Sequence, residues 1–423
     1  MSDRDALLAA IRAHPDEDTP RLVFADYLDE NDEPARAAFV RAQVELARTP
    51  PWEPFAVRCR WRQPDVASGK PFLGDLPRDS GPSRVAWANE PFRRGFGWAL
   101  DVRFLIHWPD LAEPLFDREP IGKVRFWSGT LDAWRRVAAS GCVRHFRDLA
   151  FNLSPIEALR ALRDEPAACG VTDLRFGRAS GAGMPEVIED LLPSPLGRAV
   201  RGLHFHAGYE SLNELMDALN LGGPLERLSF SVMGLTAAHI RRLFAGPAGA
   251  ALQELRLRNE QALGGDGLHA LAAVLPAGIR DLELSGIGTR ADGLEALARC
   301  DNVSSLRRLS LSRNPLTPRA AKVLSLSRSL AGLRSLDLSE CRIGDKSVRH
   351  VTHAKFWPNL VEVDLRKNPI SAAGVKHLLD APVPPDLTAL VLDGDPLGGD
   401  GRSALAKKYG AAVVFTATEV PGW

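Results

Sequence analysis

The sequence has few cysteines, no excess of either charge and no long apolar runs. Its five cysteines are scattered through 423 residues without a CxxC pair, which disfavours a disulfide framework or zinc knuckle and favours a reducing compartment. Lysine plus arginine number 53, as do aspartate plus glutamate, so binding to nucleic acid or an anionic membrane gains no support. No apolar run reaches the roughly 18 residues of a membrane-spanning helix, and the first residues lack the pattern of a secretory signal. We therefore expect a soluble, cytoplasmic protein.

Catalytic and cofactor motifs are also missing from the sequence. There is no GxxxxGK[ST] phosphate loop, no GxSxG elbow and no HExxH metal motif. His204 and His206 alternate on one predicted strand and face the same side, where a metal could bridge them, but no third ligand is evident nearby. His350 and His353 lie three apart on a predicted helix, which favours a solvated face. We expect no enzyme activity, no metal site and no cofactor.

A short pattern, apolar-x-x-apolar-x-apolar, recurs through most of the chain. Seven units begin at a constant step of 27 residues, at Leu225, Leu252, Ile279, Leu306, Leu333, Leu360 and Leu387. The pattern extends backwards to Val200, Val171, Phe146 and Ile121 with steps of 25 to 29. Self-similarity at such a period predicts a stack of repeats rather than several separate globular domains.

Each unit reads as a strand followed by a helix. The last three pattern positions alternate as a half-buried strand does, and a later apolar position recurs from Leu243 to Leu405 on one predicted helix face. Residues suited to a helix N-cap precede these helices: Thr236, Thr317, Gly344, Ser371 and Gly398. One such unit cannot bury its apolar faces alone, whereas a stack of them shares a continuous core.

The stretches LRRLSLSRN and LVEVDLRKN resemble the leucine-rich repeat signature LxxLxLxxN/C, and the step of 27 is similar to the ribonuclease-inhibitor class. This resemblance covers about two thirds of the chain. It implies an α/β solenoid of about 11–12 units, with parallel strands on a concave sheet and helices on the convex side. The asparagine-ladder position is kept as Asn314, Cys341 and Asn368, with Asp395 substituting, and we interpret Cys341 as a buried ladder residue. Upstream we expect irregular turns, because that position holds Ala179, Gly208, Met233, Glu260 and Ile287.

The first 48 residues read as three short helices separated by prolines. The sequence DALLAAIRAHPDEDTPRLVFADYLDENDEPARAAFVRAQVEL resembles the repeat-companion domain found before leucine-rich repeats in planctomycete-type bacterial proteins. This resemblance implies no established activity. Its acidic residues lack the spacing of an EF-hand loop, and we interpret them as helix caps and a solvated face. These residues are Asp16, Glu17, Asp18, Asp26, Asp29, Glu30 and Asp32.

The predicted organisation has four parts. A helical module over 1–48 precedes a Pro/Trp-rich segment over 49–95, then the solenoid over 96–416 and a tail over 417–423. We expect the segment 49–95 to be irregular and to cap the open N-terminal end of the solenoid. The alternative is that its basic, Trp-containing stretch at 58–62 docks a partner. Residues 403–409 and 412–415 predict a closing helix and strand.

Side chains between the pattern leucines predict a binding surface on the concave face. Along the strands this surface is basic towards the N-terminus and acidic towards the C-terminus, although ordinary solvation explains such a face equally well. The candidate anchors are Trp127, Arg175, His204, His206, Arg256 and Arg258, and the candidate electrostatic guides are Glu283, Asp337 and Asp364.

These features favour a monomeric, non-catalytic scaffold that binds a folded protein partner, whose identity the sequence does not give. One alternative is a regulator of an enzyme, because the resemblance includes ribonuclease inhibitors and GTPase-activating proteins. A weaker alternative is nucleic-acid binding by the basic N-terminal strands, which the neutral charge of the chain does not favour.

Overall fold

The computed structural model describes residues 2–62, 85–88, 92–94, 96–103, 112, 115–116, 119–152, 155–178, 183–207 and 211–416. The chain divides into two compact units. The first comprises Met1–Pro51 and Arg62–His204, and the second comprises Trp52–Trp61 and Phe205–Trp423. The predictions for Ala179, Gly208, the tail over 417–423 and most of 63–95 concern residues outside the described ranges, as does the side chain of Asp395.

Strands and helices alternate through most of the described chain. The strands are β1 Val85–Trp87, β2 Phe92–Arg93, β3 Phe96–Gly97, β4 Ala99–Val102, β5 Lys123–Phe126, β6 Asp148–Phe151, β7 Asp173–Arg178, β8 Gly202–His206, β9 Arg227–Ser231, β10 Glu254–Arg258, β11 Asp281–Ser285, β12 Arg308–Ser310, β13 Ser335–Asp337, β14 Glu362–Asp364, β15 Ala389–Asp393 and β16 Val413–Thr416. The helices are α1 Asp3–Ala13, α2 Thr19–Glu30, α3 Pro34–Arg48, α4 Pro54–Arg62, α5 Leu131–Ala139, α6 Pro155–Leu162, α7 Met184–Leu191, α8 Pro195–Ala199, α9 Leu212–Leu219, α10 Ala237–Leu243, α11 Gly264–Val274, α12 Ala291–Arg299, α13 Pro318–Leu326, α14 Asp345–Thr352, α15 Ala372–Asp380 and α16 Gly398–Tyr409. Short 3₁₀ turns occur at Cys142–His145, Pro166–Gly170, Pro247–Gly249, Asp301–Ser305, Ser329–Gly332, Trp357–Asn359, Asp395–Leu397 and Gly410–Ala412.

Neighbouring strands of the repeats are parallel, and within each unit their order follows the chain. In the first unit β4 to β7 pair in parallel, and β1 pairs antiparallel with β4. In the second unit β9 to β16 pair in parallel, as the predicted closing strand requires. The register advances by one repeat per strand, so Leu255 lies opposite Leu282 and Leu282 opposite Leu309. A constant register places equivalent side chains in continuous rows along each sheet.

The pattern leucines form the core. Leu255 and Leu257 of β10 are completely buried, as is Leu271 of α11. Burying such a side chain contributes about 1.5–3 kcal/mol, and each repeat supplies several. Most predicted N-caps are confirmed, since Thr236, Thr317, Gly344 and Ser371 each precede a helix. The prediction for Gly398 is wrong, because it is the first residue of its helix and Leu397 is the cap.

An asparagine ladder closes the turn after the later strands. The Oδ1 atom of Asn368 accepts from the backbone N–H groups of Cys341 and Ile343 at 3.0 and 2.9 Å, and its Nδ2 atom donates to three carbonyl groups. Asn314 makes the same kind of contacts two repeats earlier. Cys341 is completely buried, its thiol donates to the carbonyl of Leu311 at 3.0 Å, and burial raises its pKa. The interpretation of Cys341 as a ladder residue is confirmed.

The ladder begins earlier than the sequence predicted. Glu260 stands where the later repeats have asparagine, and it is completely buried. Its two carboxylate oxygens accept from the N–H groups of Met233 and Leu235 at 2.7 and 2.8 Å. The expectation of an irregular turn at Glu260 is therefore wrong. A carboxylate has enough acceptor sites to satisfy both orphan backbone donors, so this turn keeps the geometry of its neighbours.

A residue with left-handed backbone follows each of seven successive strands, always at the eighth position of the repeat. The φ angles lie between 54° and 69° at Ala207, Val232, Asn259, Gly286, Arg313, Glu340 and Lys367. Such a conformation costs most L-residues about 1–2 kcal/mol, and it is least favourable for a β-branched side chain such as that of Val232. The stacking of the repeats imposes this turn whatever the residue at that position prefers.

The three predicted N-terminal helices are present as α1, α2 and α3. Their core includes Ile11, Phe24, Leu28 and Val40, and Phe96 of β3 belongs to the same cluster. The helical module therefore packs against the beginning of the first unit's strands.

Six of the seven acidic residues of this module are exposed, as predicted for a solvated face, and several of the seven also form ion pairs with arginines. Asp18 lies 2.5 Å from Arg48 and 3.1 Å from Arg94, and Asp26 lies 2.7 Å from Arg41. Asp18 is at the N-cap position of α2 but makes no capping hydrogen bond. Long arginine side chains from distant segments reach these carboxylates, and local sequence patterns do not record such contacts.

The segment 49–95 departs from its predicted irregular structure, because Pro54–Arg62 form helix α4. Pro54 is the first residue of the helix, where a missing N–H costs no hydrogen bond. The helix packs on late strands of the chain, whereas the prediction placed this segment at the N-terminal end of the solenoid. Its Val57 belongs to a buried cluster with Val361, Ala389 and Val391, in the second compact unit. The prediction that these residues cap the N-terminal end is thus wrong for α4.

Candidate functional site

The candidate site is the sheet surface formed by the third, fifth and seventh positions of each repeat, which we call the open face. In β10 these positions are Glu254, Arg256 and Arg258, and they alternate with the buried Leu255 and Leu257. Alternate residues of a strand point to opposite sides, so the leucines face the core and the charged residues line the open face. Each of the two units carries its own part of this face.

In the first unit, an arginine and a histidine of the predicted site are held by carboxylates of neighbouring strands. The Nε atom of Arg175 lies 2.9 Å from both oxygens of Asp148, and the Nε2 atom of His204 lies 3.6 Å from Asp173 Oδ1. Burial lowers the pKa of His204 by more than the interaction with Asp173 raises it. His204 is therefore neutral at pH 7 and does not add positive charge to the face.

Trp127 is an exposed aromatic residue of the first unit's part of the open face. It follows β5 directly, and 39% of its surface is accessible. Large exposed aromatic side chains are common anchors of protein interfaces, because they bury much area at low entropic cost. His206, the other predicted histidine, is exposed at the end of β8.

In the second unit, the structure brings Arg256, Arg258 and Glu283 together. Arg258 donates two hydrogen bonds to Glu283, at 2.5 and 2.7 Å, and Arg256 lies 2.8 Å from Glu254 and 3.8 Å from Glu283. Burial alone would raise the pKa of Glu283, but the hydrogen bond and charge of Arg258 hold it below its ordinary value. The predicted basic and acidic regions are thus paired with each other at this point.

The two predicted aspartates lie opposite each other on β13 and β14. Asp337 accepts hydrogen bonds from the hydroxyl groups of Ser310 and Ser339 at 2.8 and 2.7 Å. Asp364 is only 3% exposed and is bound by both Nε and Nη2 of Arg366. Burial, together with the charge of Asp337, raises the pKa of Asp364 to about 6 against the effect of Arg366. Asp364 is therefore not freely accessible as an electrostatic guide.

Helix α4 lies on the last part of the open face, and the sequence analysis did not identify its binding site. Arg60 lies 2.8 and 2.9 Å from the two carboxylate oxygens of Glu362, and Trp61 Nε1 donates to the same carboxylate at 2.5 Å. Arg366 lies over the Trp61 ring at 4.9 Å. One sequence signal was present: the row of open-face residues becomes apolar at Ala389 and Val391.

The described residues contain no group of three or more metal-ligating side chains. In particular, His204 and His206 do not join other ligands in these ranges. Among the described residues, no helix combines the length and hydrophobicity needed to cross a membrane.

Comparisons with known proteins agree with this architecture. A family model described as Leucine Rich repeat matches residues 333–349. A chain from the crystal structure of the Rad7 and Elc1 complex in yeast superposes with a TM-score of 0.52 at 15% identity, over 70% of this chain and 75% of that one. An internalin from Listeria monocytogenes gives a TM-score of 0.36 at 14% identity, over 62% and 72%. A sequence comparison with curated proteins gives no significant match. The chain has an α/β leucine-rich repeat solenoid fold, as the sequence predicted.

Proposed function

We propose that this protein is a non-catalytic interaction scaffold that binds a folded protein partner on the open face. The observation that carries the proposal is the ordering of this face by ion pairs between neighbouring strands, such as Arg175 with Asp148 and Arg258 with Glu283. Side chains that are already fixed lose little entropy when a partner binds, so a pre-organised surface binds more tightly.

The proposed anchors are Trp127, Arg175, His204, His206, Arg256 and Arg258, and the proposed guides are Glu283 and Asp337. Asp364, the third predicted guide, is left out because it is buried against Arg366. Trp127 is the strongest candidate anchor, because it is exposed and aromatic. The charged residues act mainly through specificity and association rate, since much of their charge is already balanced within the face.

Affinity purification from the native host, followed by mass spectrometry, identifies the partner, and calorimetry with the purified partner then tests the site. We expect Trp127→Ala to weaken binding by about tenfold or more, because truncating a hot-spot aromatic typically costs about 2 kcal/mol. Leu326→Ala is the matched control, because Leu326 is 66% exposed but lies on helix α13 away from the strands. Equal affinities of the two variants would contradict the proposal.

A charge exchange tests the role of the arginines without leaving a carboxylate unpaired. The double variant Arg258→Glu/Glu283→Arg preserves the ion pair but reverses its direction across β10 and β11. We expect a modest loss of stability, because an arginine at position 283 faces Arg256. We also expect a reduced association rate, with a weaker salt dependence, if the partner recognises this arrangement. Unchanged association kinetics would exclude the pair from the binding surface.

The finer assignments belong to the same proposal. The step of 27 residues with a helix in most repeats supports the ribonuclease-inhibitor-like class, and the three helices of the N-terminal module fit the repeat-companion domain of planctomycete-type bacterial proteins. We propose the division into module, intervening segment, solenoid and tail on the same grounds, together with a monomeric, cytoplasmic state. Light scattering of the purified protein tests the oligomeric state.

A further inference from the structure

Helix α4 occupies a site on the open face that has the features of a peptide-binding site. Val57 packs into the cluster formed by Val361, Ala389 and Val391, and Trp61 lies against it. Elsewhere in the second unit, the same rows of the face carry mainly charged residues and serines. Without α4, this end of the face would expose an apolar patch, and such patches on folded proteins mark interaction sites.

The polar part of the site is specific for a guanidinium group and an indole. Glu362 is only 5% exposed, and its carboxylate binds the Arg60 side chain and the Trp61 N–H. Ser335 donates to the same carboxylate at 2.7 Å. Burial would raise the pKa of Glu362, but the positive charge of Arg60 and these hydrogen bonds keep it below its ordinary value. A buried carboxylate strongly favours an occupant that brings a matching charge.

The site also holds the occupant in one orientation. Arg366 covers the Trp61 ring, and its own charge is fixed by Asp364. At the other end of the helix, Arg334 lies 3.3 Å from Glu53. An aliphatic residue, an arginine and a tryptophan at positions i, i+3 and i+4 lie on one face of a helix, so a short helix presents all three together.

The attachment of α4 is nevertheless limited. Isolated helices of nine residues are marginal in water, so α4 depends on these contacts for its structure. The Arg60 side chain is 22% exposed, and the Glu53 carboxylate is 38% exposed. Three of its nine residues are buried, and an element that lies on the surface of a sheet opens more readily than the strands beneath it.

We propose that α4 is an intramolecular ligand that blocks this site, and that a partner helix with the same aliphatic, arginine and aromatic spacing binds there when α4 is displaced. The proposal rests on the proposed function of the open face and adds a recognition motif and a means of regulation. Because α4 is part of the same chain, its effective concentration is on the order of millimolar, and it competes strongly with a free partner.

The test uses the full chain and a fluorescein-labelled peptide of residues 50–62 under reducing conditions. The triple variant Val57→Ala/Arg60→Ala/Trp61→Ala removes the anchors of α4 and leaves the site unchanged. We expect this variant to bind the peptide at least about tenfold more tightly than the wild type, as measured by fluorescence anisotropy. Arg58→Ala is the matched control, because Arg58 lies on α4 but is exposed, and it should behave like the wild type.

Two further changes test the recognition itself. A peptide with the Arg60→Ala and Trp61→Ala changes should not bind the triple variant, and Glu362→Gln in the triple variant should weaken binding of the unchanged peptide by at least about tenfold. Equal peptide binding by the wild type and the triple variant would overturn the proposal. Equal affinity of the triple variant with and without Glu362→Gln would also overturn it.

Hydrogen exchange of the wild-type protein provides a second measurement, which holds even if the triple variant does not fold. We expect the amides of 54–62 to exchange faster than those of β13–β15, and faster still with excess peptide. Exchange of α4 only together with global unfolding would identify it as a permanent structural element.

Peptide binding without capture of any protein partner would sustain this inference and contradict the proposed function. Equal partner capture by the wild type and the triple variant, without peptide binding, would support the proposed function and contradict this inference.

Discussion

Replacing Glu260 tests whether a carboxylate takes the role of asparagine in the ladder. Glu260 is completely buried, and its oxygens accept from the backbone N–H groups of Met233 and Leu235 at 2.7 and 2.8 Å. In Glu260→Ala both donors lose their partner inside the protein, where water does not reach them. The two orphaned donors leave the turn between β9 and α10 without its hydrogen bonds.

The size of the effect follows from the number of donors. An unsatisfied buried hydrogen-bonding group costs about 1–3 kcal/mol, and Glu260→Ala creates two of them. Part of this loss is offset, because the variant no longer buries a carboxylate. We therefore expect the free energy of unfolding to fall by about 2–4 kcal/mol. Glu260→Asn should cost less, because Asn368 satisfies two such donors with a single oxygen.

Urea denaturation measures the loss of stability, and hydrogen exchange locates it at the amides of Met233 and Leu235. Glu226→Ala is the control, since Glu226 is 40% exposed and pairs only with the adjacent Arg227 at 3.1 Å, so it should cost less than about 1 kcal/mol. Equal losses in the two alanine variants, with the amide of Met233 as protected as in the wild type, would refute the assigned role of Glu260.

Three further predictions concern single residues. Val232→Asn should raise the free energy of unfolding by about 1 kcal/mol in urea denaturation, because Val232 has a φ of 60° and asparagine adopts this conformation more easily; a loss of stability would contradict the assigned strain. The pKa of His204 is lowered in the folded state, so the stability that neutral His204 contributes is complete above about pH 6.5 and is lost as the pH falls below that value. His204→Gln should therefore reduce the dependence of the unfolding free energy on pH between 7.5 and 5.5. An unchanged slope would contradict this role of His204. In thiol labelling of the native protein, the exposed Cys169 should react first and the buried Cys341 only after unfolding, since burial raises the pKa of Cys341; early labelling of Cys341 would show an open ladder.

Most of the fold could be predicted from the repeat period of the sequence. A leucine pattern at a step of 27 requires strands in constant register and helices that share one core, and the pairing of Leu255 with Leu282 has this register. The asparagine ladder at Asn314 and Asn368 was also readable, because asparagine both donates and accepts at a turn. The prediction for Glu260 was wrong, because only its burial and its two backbone hydrogen-bond partners distinguish it from an exposed glutamate.

The candidate site was less predictable than the fold. Its positions follow from strand alternation, so the rows that contain Arg256, Arg258 and Glu283 were located correctly. The pairing of these charges depends on the distance between side chains of adjacent strands, and that distance cannot be predicted from the order of residues along the chain. Asp364 was expected to be an exposed guide and is a buried partner of Arg366 for the same reason.

The sequence alone determined the repeating strand and helix units, their shared core and the alternation that separates core from open face, because these depend on local periodicity. The tertiary structure decided which charges neutralise each other and where α4 lies. Arg60 and Glu362 are 302 residues apart in the chain but 2.8 Å apart in space. A contact of this kind depends on how the whole chain folds, and no local pattern of residues encodes it.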